Sequence, residues 1–463
     1  MSRILAPITP CPIEFMTERS GQSHPIILVG ETDQSFFSED TVAATWAKAN
    51  HFTGKCGDIL IVPDNDGTVS KVYLGFGDGN DVFAIGNLFK QLPEGDWHFE
   101  HLPENALNLF LGLALGSYKF ARYLEITGNK KIRITLPADI DKTELKRLIE
   151  TTFFVRDLIN TPTNDMQPDT IEEAIRELGR TYSATVTSIW GDDLLKQNFP
   201  MVHAVGRAGS VAPRVIDLRW GDVNHPKVTL VGKGVAFDSG GLDIKSANGM
   251  LLMKKDMGGA ANVMGLAKLI MDAKLPIRLR LIVPAVENSI SGNAFRPGDV
   301  LKSRKGLTVE IGNTDAEGRL ILADALAYGD EEKPDYLFDM ATLTGAARVA
   351  LGPDVPPFYC NNNELGQIIS RISLEIQDPL WQLPLWKPYQ KKLSSRIADL
   401  NNVTTDGFAG SITAALFLQR FVDQAVNWAH FDIYGWTPAE KPAFPVGGEA
   451  QGIRALYTIL KGL

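Results

Sequence analysis

Between Lys233 and Arg319 the chain carries seven charged residues of types that could do chemistry together. Asp238, Asp256, Asp315 and Glu317 each follow or adjoin an apolar strand or open a helix. Taken singly, each reads more readily as a helix cap or turn residue, and Asp256 before GGAANV reads as an N-cap. Asp315 and Glu317 are one residue apart. In an extended loop they would point the same way, which is costly without a cation between them. If all four converge, two divalent cations would balance their charge. Lys233 sits between two glycines directly after the apolar run VTLV. It reads either as part of a turn or phosphate-binding loop, or as a buried amine. No GK[ST] closes the loop and GxGxxG fails. A buried lysine has a lowered pKa, and its neutral amine can ligate a metal. Nitrogen beside carboxylate oxygens suits zinc, manganese or cobalt rather than calcium. Lys245 and Arg319 remain as cations. A positioned ammonium stabilises the charge that develops on a carbonyl oxygen when hydroxide attacks a peptide bond. Arg319 reads equally well as a surface residue of the following helix.

Other hydrolytic machinery is missing from the sequence. There is no GxSxG elbow and no HExxH helix. The seven histidines are scattered. Only His98 and His101 lie close together, in a loop-like segment, and His430 reads as a strand histidine rather than a base. Metal-assisted hydrolysis is therefore the chemistry that the pattern favours.

These residues need elements to hold them. VTLVGKGV, RLRLIVPAV, LTVEIGN, DYLFDMAT and NWAHFDIYG read as strands, with SATVTSIWG and RVIDLRWG before them. Helical patterns such as GGAANVMGLAKLIMDA and GRLILADALAYGDEE lie between several of them. The alternation predicts an α/β domain with a mainly parallel, helix-covered central sheet, its site at the carboxyl ends of the strands. The first part reads as a smaller N-terminal α/β domain with strands at HPIILVG, GDILIVP and KIRITLP, and LNLFLGLALG as a buried helix. The expected boundaries are residues 1–139 for this domain, 140–160 for a connecting helix and 161–463 for the catalytic domain.

The 463 residues allow two or three domains. A net charge of −9 argues against a general nucleic-acid or anionic-membrane binder. Cys11, Cys56 and Cys360 are odd in number and far apart, so a reducing cytoplasm fits best. No apolar run is long enough to span a bilayer, and the proline-broken N-terminus does not read as a signal peptide.

NTDAEGRL (Asn313 to Leu320) resembles the signature octapeptide of the leucyl aminopeptidase family, also called cytosol aminopeptidases. VGKGVAFDSGG, KKDMGGAA and DMATLTGA resemble that family in the expected order. The resemblance covers roughly residues 150 to 460, and the first third carries no matching motif. It implies a metallo-aminopeptidase that removes apolar, leucine-like N-terminal residues from peptides, with two divalent ions, Mn2+ or Zn2+, per subunit. By this resemblance Asp238 and Glu317 bridge the metals, Lys233 and Asp256 complete one of them, and Asp315 the other. Lys245 would polarise the substrate carbonyl and Arg319 would hold a bicarbonate. Leu343 would offer a backbone carbonyl, and Met253, Thr342 and Gly345 would line the pocket for the first side chain, with Asn313 and Ala316 near the departing residue. A homohexamer, a dimer of trimers, is also implied. Some relatives bind DNA as architectural factors, against which the acidic composition argues; a nucleotide- or phosphate-binding enzyme is the other rival. Tyr434 and the ending PVGGEAQGIRAL depart from the commoner pattern and resemble a peptidase B-like subgroup.

Overall fold

A computed structural model of the chain describes residues 8–33, 41–104, 106–125 and 130–463. The chain divides into two compact units, one of Pro7–Phe154 with Thr437–Val446, the other mainly of Val155–Trp436 with Gly447–Leu463. The division falls inside the helix Lys142–Asn160, the segment expected to connect two domains.

The smaller unit is built on a six-stranded sheet of β1 (Ile13–Met16), β2 (His24–Gly30), β3 (Ile59–Pro63), β4 (Val69–Gly77), β5 (Gly95–Phe99) and β6 (Ile132–Thr135). Their order is β1-β6-β5-β2-β4-β3, and only β3 runs antiparallel to its neighbour. The run LNLFLGLALG does form a helix, Ala106–Gly116, buried at every residue but Leu107. The late segment Thr437–Val446 also belongs to this unit: Phe444 meets Phe83 edge to face, with ring centroids 5.6 Å apart, and Glu440 pairs with Lys90.

The larger unit contains β7 (Thr185–Trp190), β8 (Arg214–Trp220), β9 (Lys227–Gly232), β10 (Gly234–Asp238), β11 (Arg278–Asn288), β12 (Val300–Lys302), β13 (Thr308–Glu310), β14 (Tyr336–Ala341), β15 (Pro357–Cys360), β16 (Trp381–Gln382), β17 (Leu400–Asn401) and β18 (Trp428–Asp432). The main sheet runs β16-β15-β18-β14-β9-β11-β8-β7, with β10 also paired to β11. Its centre, β11-β9-β14-β18, is parallel. These strands are nearly continuous apolar runs because helices cover both faces. The Cβ position of Gly232 faces Ala260 and Val263 of the helix Gly258–Asp272, while Thr229 packs on Gly329 of the helix Gly318–Asp330. Positions 229 and 232 lie on opposite sides of a pleated strand. LTVEIGN differs from the expectation: β13 pairs with β12 and β17 in a separate three-stranded sheet. A three-residue strand has too few positions to show which sheet it joins. Among the described residues no helix is long and apolar enough to cross a membrane.

The helix Gly258–Asp272 seats closely on β14. A Cβ at Gly259 would stand 2.1 Å from the Met340 carbonyl oxygen, a backbone atom with no room to give. Alanine ordinarily stabilises a helix by up to about 1 kcal/mol over glycine, whereas overpacking costs about 1–3 kcal/mol. Gly259→Ala is therefore expected to lower the midpoint of urea unfolding; an unchanged or raised midpoint would show that the helix can lift off β14 without penalty.

Candidate metal centre and active site

Four short segments at the carboxyl side of the sheet bring the metal-centre residues together. Lys233 is the single residue between β9 and β10, and Asp238 ends β10. Asp256 lies in a 3-10 turn, Met253–Met257, that runs into the helix Gly258–Asp272. Asp256 does not cap that helix: its Oδ1 accepts a hydrogen bond from Thr342 Oγ1 at 2.8 Å, and the cap position belongs to Met257. The N-cap reading fails because the turn ahead of the helix carries the side chain toward β14 instead. Asp315 and Glu317 lie in the loop between β13 and the helix Gly318–Asp330, where Glu317 occupies the N-cap position without a side-chain cap bond.

One oxygen from each of Asp238, Asp315 and Glu317 can be chosen so that all lie within 4.8 Å of one another. Asp256 joins them through Lys233, whose Nζ stands 2.7 Å from Asp256 Oδ2 and 3.0 Å from Glu317 Oε1. The same amine donates to the Thr342 carbonyl at 3.1 Å. These are ion-pair distances, and Glu317 Oε2 has no partner at all among the described residues. Glu317 is only 1% exposed. Buried carboxylate oxygens left unsatisfied beside an amine are a donor set that fits divalent ions.

The electrostatics agree. Burial and the neighbouring Asp238 push the Glu317 carboxyl well above its usual range, against Lys233. Burial also raises Asp256, with Asp238 adding and Lys233 opposing. Asp315, the most accessible carboxylate, is pushed up to about 6 by burial and by Asp238. Lys233 differs from its expectation. Burial does act to lower its pKa, but Asp256, Glu317 and Asp238 outweigh it, so the amine is held as an ammonium above its ordinary value. A cation that took over those carboxylates would remove the cause, and ligand deprotonation accompanies metal binding. Facing carboxylates, Lys233 does not form a phosphate loop. A Cβ at Gly318 would stand 2.4 Å from Lys233 Cε, so the glycine after Glu317 leaves the space in which the lysine lies.

Lys245 bridges Asp238 Oδ2, at 2.8 Å, and Asp315. Arg319 is buried rather than on the surface; its Nη1 donates to the Asn402 carbonyl at 2.6 Å, and its Nε has no partner among the described residues. Burial pushes it down to about 10, against Glu317 and Asp432, which leaves it charged at neutral pH. Thr342 touches Asp256, and Met253 shares its turn. The Leu343 amide donates to Asp432, Asn313 Oδ1 accepts from the Asp315 amide at 2.7 Å, and the Ala316 carbonyl accepts from Asn402. Gly345 is exposed and opens the helix Gly345–Leu351. His430 is buried, with Nδ1 2.6 Å from Asp339 Oδ1, while its Nε2 has no partner among the described residues. His98 bonds Ser23, and His101 is exposed. Tyr434 lies under two cations, Lys255 Nζ at 4.6 Å and the Arg348 guanidinium at 5.4 Å from its ring centroid.

Three supporting residues escape a reading by motif. Asn288, at the end of β11, donates to Asp238 Oδ1 at 2.8 Å and to the Thr314 carbonyl, fixing the strand end to the loop. Asn402 accepts from Gly312 and donates to Asn313. Asp432 accepts from the amides of Leu343 and Thr344, from the hydroxyls of Thr344 and Ser411, and from Arg348. A polar residue at the last position of a strand is the signal that marks Asn288 and Asp432.

The cytosol aminopeptidase catalytic-domain model matches residues 153–457, and the M17 aminopeptidase N-terminal-domain model matches residues 25–137. The structure is similar to the cytosol aminopeptidase of Coxiella burnetii, with a TM-score of 0.91 and 44% identity over 97% of this chain and 99% of that one. It is also similar to the bottromycin maturation enzyme BotP in complex with Mn, with a TM-score of 0.85 and 29% identity over 95% of this chain and 99% of that one. A probable cytosol aminopeptidase of Roseiflexus castenholzii is 39% identical over 380 residues, 78% of each chain. With these matches spanning both units and the carboxylate cluster at the carboxyl ends of the central strands, the chain belongs to the cytosol aminopeptidase family, whose members are metal-dependent aminopeptidases.

Proposed function

We propose that this enzyme removes apolar, leucine-like residues from the N-termini of peptides with two divalent ions, in intracellular peptide turnover. The observation that carries the reading is the set of buried, under-satisfied carboxylate oxygens around Lys233. Asp238 and Glu317 would serve both ions, Lys233 and Asp256 one of them, and Asp315 the other. When bound, the ions supply an acidified water and polarise the scissile carbonyl, and a bicarbonate on Arg319 supplies a base.

The chain's own residues do the rest. Lys245, whose ammonium lies between Asp238 and Asp315, would donate to the carbonyl oxygen as negative charge grows on it. Arg319, charged, with its Nε unpaired, is suited to hold a small anion in place. Met253, Thr342 and Gly345 would shape the pocket for the first side chain and Leu343 would offer its backbone carbonyl, with Asn313 and Ala316 beside the departing residue. Asp432 fixes the Leu343–Thr344 backbone through two amides, which keeps that wall in register with Asp256. Mixed nitrogen and oxygen donors suit manganese or zinc, and a relative's Mn complex supports manganese. A homohexamer in the cytoplasm accords with the family. The architectural DNA-binding and nucleotide-binding alternatives gain no support from the site.

Hydrolysis of leucyl-p-nitroanilide should vanish on chelation and return with manganese or zinc. Cleavage that survives chelation, or that neither metal restores, would sink the proposal. Asp256→Ala should lose one ion, counted by elemental analysis, together with nearly all activity; retention of both ions and of rate would refute its role. Lys245→Ala should keep both ions while kcat falls about 10²–10³-fold, as when an oxyanion donor is removed. An unchanged kcat would move the polarising role elsewhere.

A further inference from the structure

The opposite ends of the same strands carry a second charged site. A cavity of about 320 Å³ lies where β9 and β11 begin and β8 ends, lined among others by Arg219, Lys227, Thr229, Arg278, Arg280 and Glu332. Lys227 starts β9 and Lys233 follows its end, so roughly 20 Å of strand separates this cavity from the metal centre.

The strand register places like charges side by side. Arg280 pairs with Arg219 on β8 and with Thr229 on β9, and Arg278 pairs with Lys227. Directly opposed like charges destabilise a sheet unless something neutralises them. Part of that charge is met from within. Asp217 takes Arg280 in a two-pronged bond at 2.8 and 3.1 Å, and Glu332 Oε1 takes Arg219 at 2.6 Å. Tyr328 supports the Arg280 guanidinium from 4.1 Å. The Arg278–Lys227 pair is met less directly: Glu332 acts on Arg278 only through space, with no hydrogen bond between them. Lys227 Nζ reaches only the Glu332 carbonyl, at 3.2 Å, and Asp335 is engaged with the Lys227 backbone amide. Among the described residues the Arg278 side chain makes no hydrogen bond or ion pair. Thr229 is 3% exposed and lines the cavity. Four cations face two carboxylates, and Thr229 lines the same space as the Arg278 guanidinium, which makes no hydrogen bond.

We propose that this cavity is a binding site for a small dianionic oxyanion, a phosphate group or a dicarboxylate, held by Arg278 and Lys227 over the Thr229 hydroxyl. The guanidinium presents two parallel donors that match either oxyanion, and charge-assisted bonds of this kind are the strong ones. Trp220 and Pro334, which also line the cavity, would flank whatever organic part the anion carries. The site is separate from the catalytic carboxylates and needs none of them.

The test is calorimetric titration of the metal-loaded enzyme at low ionic strength with methyl phosphate in one arm and succinate in the other. Sodium chloride at matched ionic strength is the control. Saturable binding of one probe, weakened about tenfold or more by Arg278→Ala and partly restored by Arg278→Lys, is the expected result, and the arm that binds identifies the oxyanion class. Leucyl-p-nitroanilide hydrolysis should stay at the wild-type rate in both variants, which shows that they fold. No saturable binding in either arm overturns the proposal, as does binding that both variants leave unchanged.

Discussion

Everything at the metal centre depends on one electrostatic constraint. Four carboxylates, three of them almost fully buried, are forced into a space where their mutual repulsion and desolvation cannot be relieved by water. In the structure described, Lys233 and Lys245 carry that load between them, one on Asp256 and Glu317, the other on Asp238 and Asp315. The arrangement is under-compensated, since several carboxylate oxygens lack a proper hydrogen bond. Much of the nearby structure is what holds the carboxylates against one another. Asn288 pins Asp238, Thr342 pins Asp256, and the absence of a side chain at Gly318 gives Lys233 its place.

The main features of this site are legible in the sequence for a physical reason. A buried parallel strand is mainly apolar, so a polar residue just past its last apolar one marks the strand's carboxyl end, as Lys233 does after β9 and Thr342 after β14. What stays hidden depends on contacts distant in the chain. The protonation of Lys233 turns on which carboxylates fold against it, so burial alone gave the wrong direction. Asp256 resembles a helix cap until its partner Thr342, from another strand, is known. β13 carries no trace of belonging to a separate sheet. Asn402 supports the loop after β13 from about ninety residues away, a relation that spacing does not encode.

The same sheet has opposite electrostatic characters at its two ends. At the carboxyl ends of β9, β10 and β11, acids gather around lysines; at the starts of β9 and β11, cations gather around two acids. Helices that cover both faces leave the strand ends as the places where polar side chains can collect, and each end has gathered its own sign.

The segment Thr437–Val446 gives the smaller unit a further property. Phe444 and Glu440 reach it only after nearly the whole chain has been made. A ribosome that has delivered the first 154 residues has therefore not delivered a complete folding unit, and the usual order, in which the leading domain folds as it emerges, cannot reach its end here. The two units must finish in an order set by the tail of the chain, which makes them a single product of translation rather than two modules joined in series.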